Sequence, residues 1–285
     1  MRQSLVVSIC LSGAIMLSAC TQKSGADVER AVQDVLAADQ SSLNQIMLSA
    51  ADPAEAVAYY RKGVAGQPGN MELQRGLARS LIRAGKPEAS LDAWKVVTDS
   101  AEATDTDRIA YADALIRAGK WDRAEAVLDG IPPTVESYQR YRLEAMIADS
   151  NEEWEKADSF YETAAGMTTN PSGVLNNWGY SKLTRGDYDA AEDLFREALS
   201  YAPDLFTAKN NLVLARGAQR KYQMPVIEMS QEERAQLLYT LALSAIKQGD
   251  VAIGKGLLED AIDTHPQHFE AASRSLRALE SNIRS

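Results

Sequence analysis

The hexapeptide LIRAGK occurs twice in the sequence, at Leu81–Lys86 and at Leu115–Lys120, and the starting positions differ by 115 − 81 = 34. Such an interval is typical of a repeat architecture, in which each unit is one supersecondary element that buries its apolar face by stacking on its neighbours. This repeat constrains the fold more than any single motif does, because it predicts a row of similar units in place of one globular core.

Other positions follow the same interval, as they would in a true repeat. A glycine that would turn one helix into the next recurs at Gly85, Gly119, Gly186 and Gly249, with Glu152 as the exception. Aromatic residues follow two places later at Trp121, Trp154 and Tyr188. Small residues recur before the turn at Ala78, Ala112, Ala145, Gly179 and Ala242, and after it at Ala56, Ser90, Ala124, Ala157, Ala191 and Gly254. Bulky residues lie four places beyond the second set, at Tyr60, Trp94, Leu128, Tyr161, Phe195 and Leu258. This alternation lets neighbouring helices approach and interdigitate.

A helix–turn–helix unit of this length and pattern resembles the tetratricopeptide repeat. Hydrophobic residues make up 45% of the chain and aromatic residues only 7%, which favours helices over sheets. We therefore predict an all-α fold, a tetratricopeptide-repeat (TPR) right-handed superhelical solenoid of helix–turn–helix units. Seven units are predicted to begin near Ala37, Met71, Asp105, Tyr138, Ser172, Phe206 and Ala235.

One predicted unit departs from the pattern. Where its second helix should lie, the sequence reads QMPVIEMSQEER and places Pro225 at a position where it would disrupt a helix. The spacing from the turn glycine Gly186 to Gly249 is 249 − 186 = 63, which falls five short of two intervals of 34. The sixth unit is therefore predicted to be incomplete.

We predict an extended stretch over 223–229, followed by a helix that restarts at the capping-box pattern of Ser230 and Glu233. The extended stretch is either a degenerate repeat or a joint or docking segment between two subarrays. The predicted division is 37–222 for an array of about five units and a partial sixth, 223–234 for an irregular segment, and 235–285 for a final unit and a capping helix.

The start of the chain indicates export and a lipid anchor. An uncharged run at 5–17 is too short to cross a hydrocarbon core of about 30 Å, so it is typical of a signal peptide. The run ends in LSAC, which resembles the lipobox of bacterial lipoproteins. We predict a lipoprotein signal peptide at 1–19 and a tether at 20–36 that is lipidated on Cys20; the alternative is an ordinary secretory peptide in which Cys20 is incidental. Thr21 stands where an aspartate would signal inner-membrane retention, so the resemblance implies the outer membrane, with the protein on its periplasmic face.

The composition excludes several kinds of site. The formal charge of −10 repels nucleic acid and anionic lipid head groups. The two cysteines, Cys10 and Cys20, leave the rest of the chain without a disulfide framework or a thiol nucleophile. His265 and His268 lack the further ligands of a specific metal site and are expected to cap a helix end. We predict no catalytic residue, no metal, no cofactor and no small-molecule substrate, and therefore not an enzyme.

Candidate binding residues lie on the first helices of the units, which line a concave groove in tetratricopeptide arrays. Arg75, Arg79 and Arg83 share one helix face at i, i+4 and i+8, and Arg117 and Arg142 extend this stripe. Guanidinium groups pair bidentately with carboxylates. The arginines are therefore predicted either to bind a carboxylate-bearing ligand or to neutralise neighbouring acidic residues of the array.

Two asparagine pairs form a second echo at the same interval. Asn176 and Asn177 are followed by Asn210 and Asn211, one repeat length further along the chain. An asparagine side chain both donates and accepts hydrogen bonds, which suits gripping the main chain of an extended peptide. The alternative is that these side chains form structural hydrogen bonds between helices.

The lipobox, the tether, the repeats and the segment RKYQMPVIEMSQEERAQ together resemble the TadD-like lipoproteins of the tight-adherence (Flp) pilus assembly system. The stretches NNLVLARGAQRKY and TLALSAIKQGDVAIGKGLLEDAIDTHPQHFEAA are similar to the C-terminal part of that family. The resemblance implies a non-catalytic outer-membrane lipoprotein that binds secretin or pilus-assembly proteins in its groove and touches the membrane only through its lipid. The alternative is a periplasmic tetratricopeptide lipoprotein that scaffolds or regulates a cell-wall enzyme.

Overall fold

The computed structural model describes residues 41–283, which form fourteen helices and no β-strand within that range. The all-α class predicted from the repeat is therefore confirmed. The helices are α1, residues 41–49; α2, Pro53–Gly66; α3, Met71–Arg83; α4, Pro87–Asp99; α5, Asp105–Arg117; α6, Trp121–Asp129; α7, Tyr138–Ser150; α8, Trp154–Gly166; α9, Ser172–Thr184; α10, Tyr188–Tyr201; α11, Phe206–Ala218; α12, Gln231–Lys247; α13, Val251–Thr264; and α14, Glu270–Ile283.

The helices pack in consecutive pairs that stack along the chain. The pairs are α3 and α4, α5 and α6, α7 and α8, α9 and α10, and α12 and α13, and α1 is joined to α2 by hydrogen bonds from Tyr59 and Tyr60 to Asn44. Five helices begin at residues from which the sequence predicted a unit, namely Met71, Asp105, Tyr138, Ser172 and Phe206. The last helix, α14, packs on α13.

The repeated hexapeptide is the helix-ending turn of its unit. The amide of Lys86 donates to the carbonyl of Leu81 over 2.9 Å, and the amide of Lys120 donates to that of Leu115 over 2.8 Å. The first and last residues of each copy are therefore joined by the six-to-one hydrogen bond of a Schellman motif. The intervening glycine is left-handed, with φ of 67° at Gly85 and 72° at the second copy.

Two turns of the same kind lack glycine. Glu152 has φ of 61°, so the exception in the glycine series keeps the left-handed backbone. Arg220 has φ of 60° and follows Gly186 by one full repeat interval, because 220 − 186 = 34. The sixth unit therefore does have a turn on schedule, and it was missed because its residue is an arginine.

The alternation of small and bulky residues is present in the core. The bulky positions, from Tyr60 to Leu258, are all buried. A Cβ added at Gly179 would lie 2.7 Å from the ring of Phe195, and one at Gly76 would lie 2.1 Å from the ring of Tyr60. Glycine lets the helices approach until these rings touch the backbone, which is the close packing that the repeat pattern predicted.

Residues 221–230, here called the strap, contain no helix, and α12 begins at Gln231. The irregular segment therefore ends at residue 230 and not at 234, and the final unit starts four residues before Ala235. The reason is the capping box, which the structure confirms. The Ser230 hydroxyl accepts from the Glu233 amide over 3.1 Å, and the Glu233 carboxylate accepts from the Ser230 amide over 2.7 Å.

Because the strap replaces a helix, α11 packs directly on α12. A Cβ added at Gly217 would lie 2.3 Å from the hydroxyl oxygen of Ser244. At the other end of α11, the buried Lys209 donates to both carboxylate oxygens of Glu233, over 3.0 and 3.1 Å. Ile227 of the strap packs on the core of α9 to α11.

The strap begins between two carboxylates. Glu192 on α10 accepts hydrogen bonds from Arg216 over 2.7 Å and from Lys221 over 3.4 Å. Asp250, at the turn between α12 and α13, accepts from Arg220 over 2.9 Å and from the Tyr222 hydroxyl. The first residues of the strap are thereby tied both to the preceding units and to the final one.

The predicted signal peptide at 1–19, the lipidation residue Cys20 and the tether at 20–36 lie outside the residues that the structure describes. Within residues 41–283, no helix is both long enough and apolar enough to cross a bilayer.

Candidate functional site

The first helices of successive units lie side by side and form one face of the protein. Helix α5 contacts α7, α7 contacts α9, α9 contacts α11, and α11 contacts α12. We call this surface the A-helix face. It contains the predicted arginine stripe and both asparagine pairs, on α3, α5, α7, α9 and α11.

Arg75 is engaged within the array. Its Nε and Nη2 atoms donate to the two carboxylate oxygens of Asp107, each over 2.8 Å, and Nη2 also donates to the carbonyl of Glu102 over 3.2 Å. Burial alone would raise the pKa of the Asp107 carboxyl, but hydrogen bonds from Arg75 and Thr104 hold that pKa below its usual value. This bidentate pair joins α3 to α5.

Arg117 and Arg142 share one acidic partner. The Asp113 carboxylate accepts from Nε of Arg117 over 2.6 Å and from Nη2 of Arg142 over 2.7 Å. The Arg142 guanidinium is the more buried, with 20% of its side chain exposed against 51% for Arg117. Asp113 therefore joins α5 to α7 as Asp107 joins α3 to α5.

The two remaining arginines of the stripe differ from each other. Arg83 donates to the carbonyls of Met47 and Ala51, over 3.0 and 2.8 Å, at the C-terminal end of α1. A cation at that end of a helix is favoured, because the last carbonyls lack intrahelical partners. Arg79 is exposed and makes no hydrogen bond or ion pair with the described residues.

All four asparagines contact a residue of a neighbouring first helix. Asn211 donates to the side-chain oxygen of Asn176 over 3.1 Å, and Asn177 lies 3.7 Å from the sulfur of Met146. Asn210 accepts from the hydroxyl of Thr240 over 2.9 Å. The pairs therefore take part in the contacts between units, and their role in gripping a peptide stays a prediction.

A depression of about 480 Å³ opens on the A-helix face around α7 and α9. Its floor and rim combine aromatic, aliphatic and amide side chains. It is lined by Trp121, Met146, Asp149, Ser150, Trp154, Tyr161, Asn176, Asn177, Tyr180, Thr184, Thr207 and Asn211. Tyr180 is the most prominent of these, with 52% of its surface exposed.

Asp149 is the carboxylate that lines the depression. Burial raises the pKa of its carboxyl, and this outweighs the opposing hydrogen bonds from Ser181 and Tyr161. Ser181 donates to one carboxylate oxygen over 2.5 Å and the Tyr161 hydroxyl donates to the other over 3.1 Å. Both oxygens are therefore occupied, and the group links α7, α8 and α9.

The wall at Trp154 is held by a separate ionic cluster. The guanidinium carbon of Arg185 lies 5.3 Å from the centroid of the Trp154 ring, within range of a cation–π interaction. Arg185 also pairs with Asp158, which accepts from Lys182 over 2.9 Å and from the Trp178 indole N–H over 2.6 Å. The tryptophan is thus positioned by neighbours on two helices before any partner binds.

The sequence did not indicate the depression. Trp121 and Trp154 were placed at a recurring position after the turn, where they were expected to plug the start of each second helix. Trp121 does pack on the core, and both rings also line the depression. The available signal was that these two tryptophans recur one unit apart. The depression that both rings line depends on how the units stack.

The two histidines lie at the end of α13. His265 hydrogen-bonds with Gln267 and its ring contacts Phe269, while His268 pairs with Glu270 over 2.9 Å. Within residues 41–283 the structure shows no group of three or more His, Cys, Asp or Glu side chains arranged to hold a metal ion.

Family models of the tetratricopeptide repeat match residues 48–99, 176–223 and 236–268. They cover the first units, the units beside the depression and the final unit. A comparison with curated proteins yields no match.

Solved structures share the fold. A tetratricopeptide repeat protein from Parabacteroides merdae has a TM-score of 0.56 at 12% identity, covering 84% of this chain and 96% of that one. Human IFIT1 with m7Gppp-AAAA has a TM-score of 0.59 at 15% identity, covering 85% and 62%. A chain of the APC/C hetero-tetramer Cut9–Hcn1 has a TM-score of 0.59 at 12% identity, covering 83% and 48%. The chain therefore spans less than two thirds of the length of the last two. At these identities the likeness concerns the fold alone, which is the tetratricopeptide-repeat superhelix.

Proposed function

Because the chain is a tetratricopeptide-repeat protein, we propose that it is a non-catalytic scaffold that binds segments of other proteins on its A-helix face. Repeats of this kind suggest an interaction scaffold. The observation that carries the proposal is the depression, which combines the exposed Tyr180 with partly buried aromatic and amide side chains on a face built in advance by hydrogen bonds and ion pairs between units. A preformed surface loses little conformational freedom when it binds.

The formal charge favours a protein partner over nucleic acid. Human IFIT1, which shares the fold, has been solved with PPP-AAAA and with m7Gppp-AAAA. The present chain carries 40 acidic against 30 basic residues, and four of the five arginines of its stripe are already engaged by acidic side chains or backbone carbonyls. A field of that sign opposes phosphate binding.

The finer assignment places this scaffold in the Flp (tight-adherence) pilus system as a lipoprotein of the outer membrane. The resemblance of the LSAC lipobox, the strap sequence and the C-terminal segment to TadD-like proteins supports it. On this assignment, the protein is anchored through Cys20, faces the periplasm, and helps to place the secretin channel or to couple it to pilus assembly.

Crosslinking in intact cells, followed by purification of the protein from outer membranes and mass spectrometry, tests the assignment. We expect the secretin or pilus-assembly proteins among the crosslinked partners. We also expect a gene deletion and Cys20→Ala each to reduce pilus secretion and secretin oligomers. Unchanged secretion and oligomers in both strains would contradict the pilus role.

The same experiment separates the second candidate, a scaffold or regulator of a cell-wall enzyme. Recovery of wall hydrolases or synthases in place of secretin would favour that role. Both candidates share the membrane-anchored scaffold and differ only in the partner, so either result leaves the binding role of the A-helix face in place.

A further inference from the structure

We infer that the depression around α7 and α9 is an anchor site for one bulky, uncharged apolar side chain carried by an extended segment of the partner. The inference rests on the proposed function and adds the type of residue that the A-helix face selects. It is argued from the walls of the depression, from its charge and from its unpaired amide groups.

The walls are apolar and rigid. Trp121 and Trp154 are each the first residue of the second helix of a unit, so the depression is closed on one side by positions outside the first helices. Met146 and Tyr180 complete the apolar lining from α7 and α9. Tyrosine and tryptophan offer a large contact area at a small cost in conformational entropy, and here the exposed Tyr180 lies beside two partly buried tryptophans.

The charge of the depression disfavours an ionic side chain as the anchor. Among its lining residues, only Asp149 can carry a charge at neutral pH, and hydrogen bonds from Ser181 and Tyr161 already occupy both of its oxygens. A glutamate of the partner would lose its water without gaining a counter-charge, and a lysine would have to compete with these two hydrogen bonds for one partly buried carboxylate, so both would be costly to bind. An apolar side chain gains free energy in proportion to the area it buries.

The amide groups favour an extended main chain over a helix. Asn211 donates one N–H to the oxygen of Asn176 over 3.1 Å. The Nδ2 group of Asn176 and the Oδ1 atom of Asn211 have no hydrogen-bond partner among the described residues, so the depression offers one donor and one acceptor. These complement the carbonyl and N–H of a peptide unit, which are free in an extended segment and already paired inside a helix.

The test uses the full chain, purified in detergent, and a displayed library of random peptides. We expect the selected peptides to share a bulky apolar residue at one position. Tyr180→Ala should weaken their binding by at least about tenfold, the size expected for a central aromatic contact. Tyr201→Ala is the matched control, because Tyr201 is 49% exposed on α10 and does not line the depression.

A second variant guards against an effect on folding. Thr184 is exposed at the rim, so Thr184→Arg should obstruct the depression without disturbing the core, and its circular dichroism should match that of the unmodified chain. Two results would overturn the anchor site and leave the binding role of the A-helix face intact. One is a set of selected peptides without a shared apolar residue, and the other is binding to the Tyr180 and Thr184 variants that is as tight as binding to the unmodified chain. Selection of no peptide at all would overturn both the anchor and that binding role.

Discussion

The turn after α5 and the turn after α11 have the same backbone, yet a helix follows the first and an extended strap follows the second. Both turn residues are left-handed, with φ of 72° at Gly119 and 60° at Arg220. In both, the next amide donates to the carbonyl five residues back, over 2.8 and 2.9 Å. Hydrogen bonds within six residues therefore close the turn, whereas the residues that follow the turn decide whether a helix forms after it. Pro225 occupies the strap and disfavours a helix there.

The two regions also stabilise the array differently. In the regular fifth unit, Phe195 of the second helix is fully buried against Gly179 of the first. At the strap there is no second helix to supply such a side chain. Direct contact of α11 with α12, the half-buried Ile227 and the carboxylates Glu192 and Asp250 take its place.

The largest effect should come from removing the bulky residue of the regular unit. Phe195→Ala is expected to lower the free energy of unfolding by about 3–5 kcal/mol, because it deletes a buried ring and leaves a cavity. Ile227→Ala in the strap should cost only about 1–2 kcal/mol, since that side chain is half-buried. Urea denaturation followed by circular dichroism measures both. Equal losses would mean that the strap packs as tightly as a helix.

The next effect concerns the carboxylate at the start of the strap. Burial would raise the pKa of Glu192, but hydrogen bonds from Arg196 and Arg216 lower it to about 2 from an ordinary value of 4.5. A carboxyl whose pKa is lowered on folding stabilises the protein above its unfolded pKa and loses that contribution as pH falls through the folded pKa. Glu192→Gln should therefore cost on the order of 2–3 kcal/mol at neutral pH.

The matching measurement is the free energy of unfolding of both proteins from neutral pH down to about pH 2. The difference between them should shrink as the pH falls from about 4.5, where the carboxyl of the unfolded chain takes up its proton, to about 2, where the native carboxyl takes up its own. Glu197→Gln is the control, because Glu197 is exposed on the same helix. A difference that does not change with pH would show that the charge of Glu192 contributes nothing.

Smaller effects are expected at the turns themselves. Gly119→Ala should lower the free energy of unfolding by about 1–2 kcal/mol, because alanine is strained at positive φ. A Cβ at this position meets no other atom within 4 Å, so the backbone strain is the only expected cost. Glu152→Gly should stabilise the protein by up to about 1 kcal/mol, since it removes that strain from an exposed residue. Thermal unfolding monitored by circular dichroism distinguishes the two directions.

Arg220→Gly sharpens the comparison further. It relieves the same strain as Glu152→Gly but also removes the hydrogen bonds of Arg220 to Asp250 and to the carbonyl of Gln248. The net change in the free energy of unfolding should therefore be close to zero. A gain as large as that of Glu152→Gly would mean that these bonds do not hold the strap.

Much of the fold followed from local patterns that the sequence displays directly. The interval of the turns, the small and bulky positions and the capping box at Ser230 all involve residues within one unit. The cap predicted the start of α12 correctly, whereas the boundary of the final unit was placed four residues late, because it was counted from the interval. Arg220 was overlooked since only glycine was expected at positive φ, although hydrogen bonding can hold another residue there.

The candidate site was less predictable. The arginine stripe was visible in the sequence, but its partners were not. Arg75 pairs with Asp107 of the following unit and Arg142 with Asp113 of the preceding one, and many other acidic residues were equally available. The direction of Trp121 and Trp154 depends on how three units stack, which no interval within one unit specifies.

The sequence by itself determined the helical repeat, its interval and its left-handed turns, because these depend on hydrogen bonds and steric limits among residues near each other in the chain. Only the tertiary structure decided which charges are neutralised, how α11 meets α12 across the strap, and that two recurring tryptophans share a depression with Tyr180. Those outcomes depend on contacts between units, where many pairings satisfy the same pattern and close packing selects one of them.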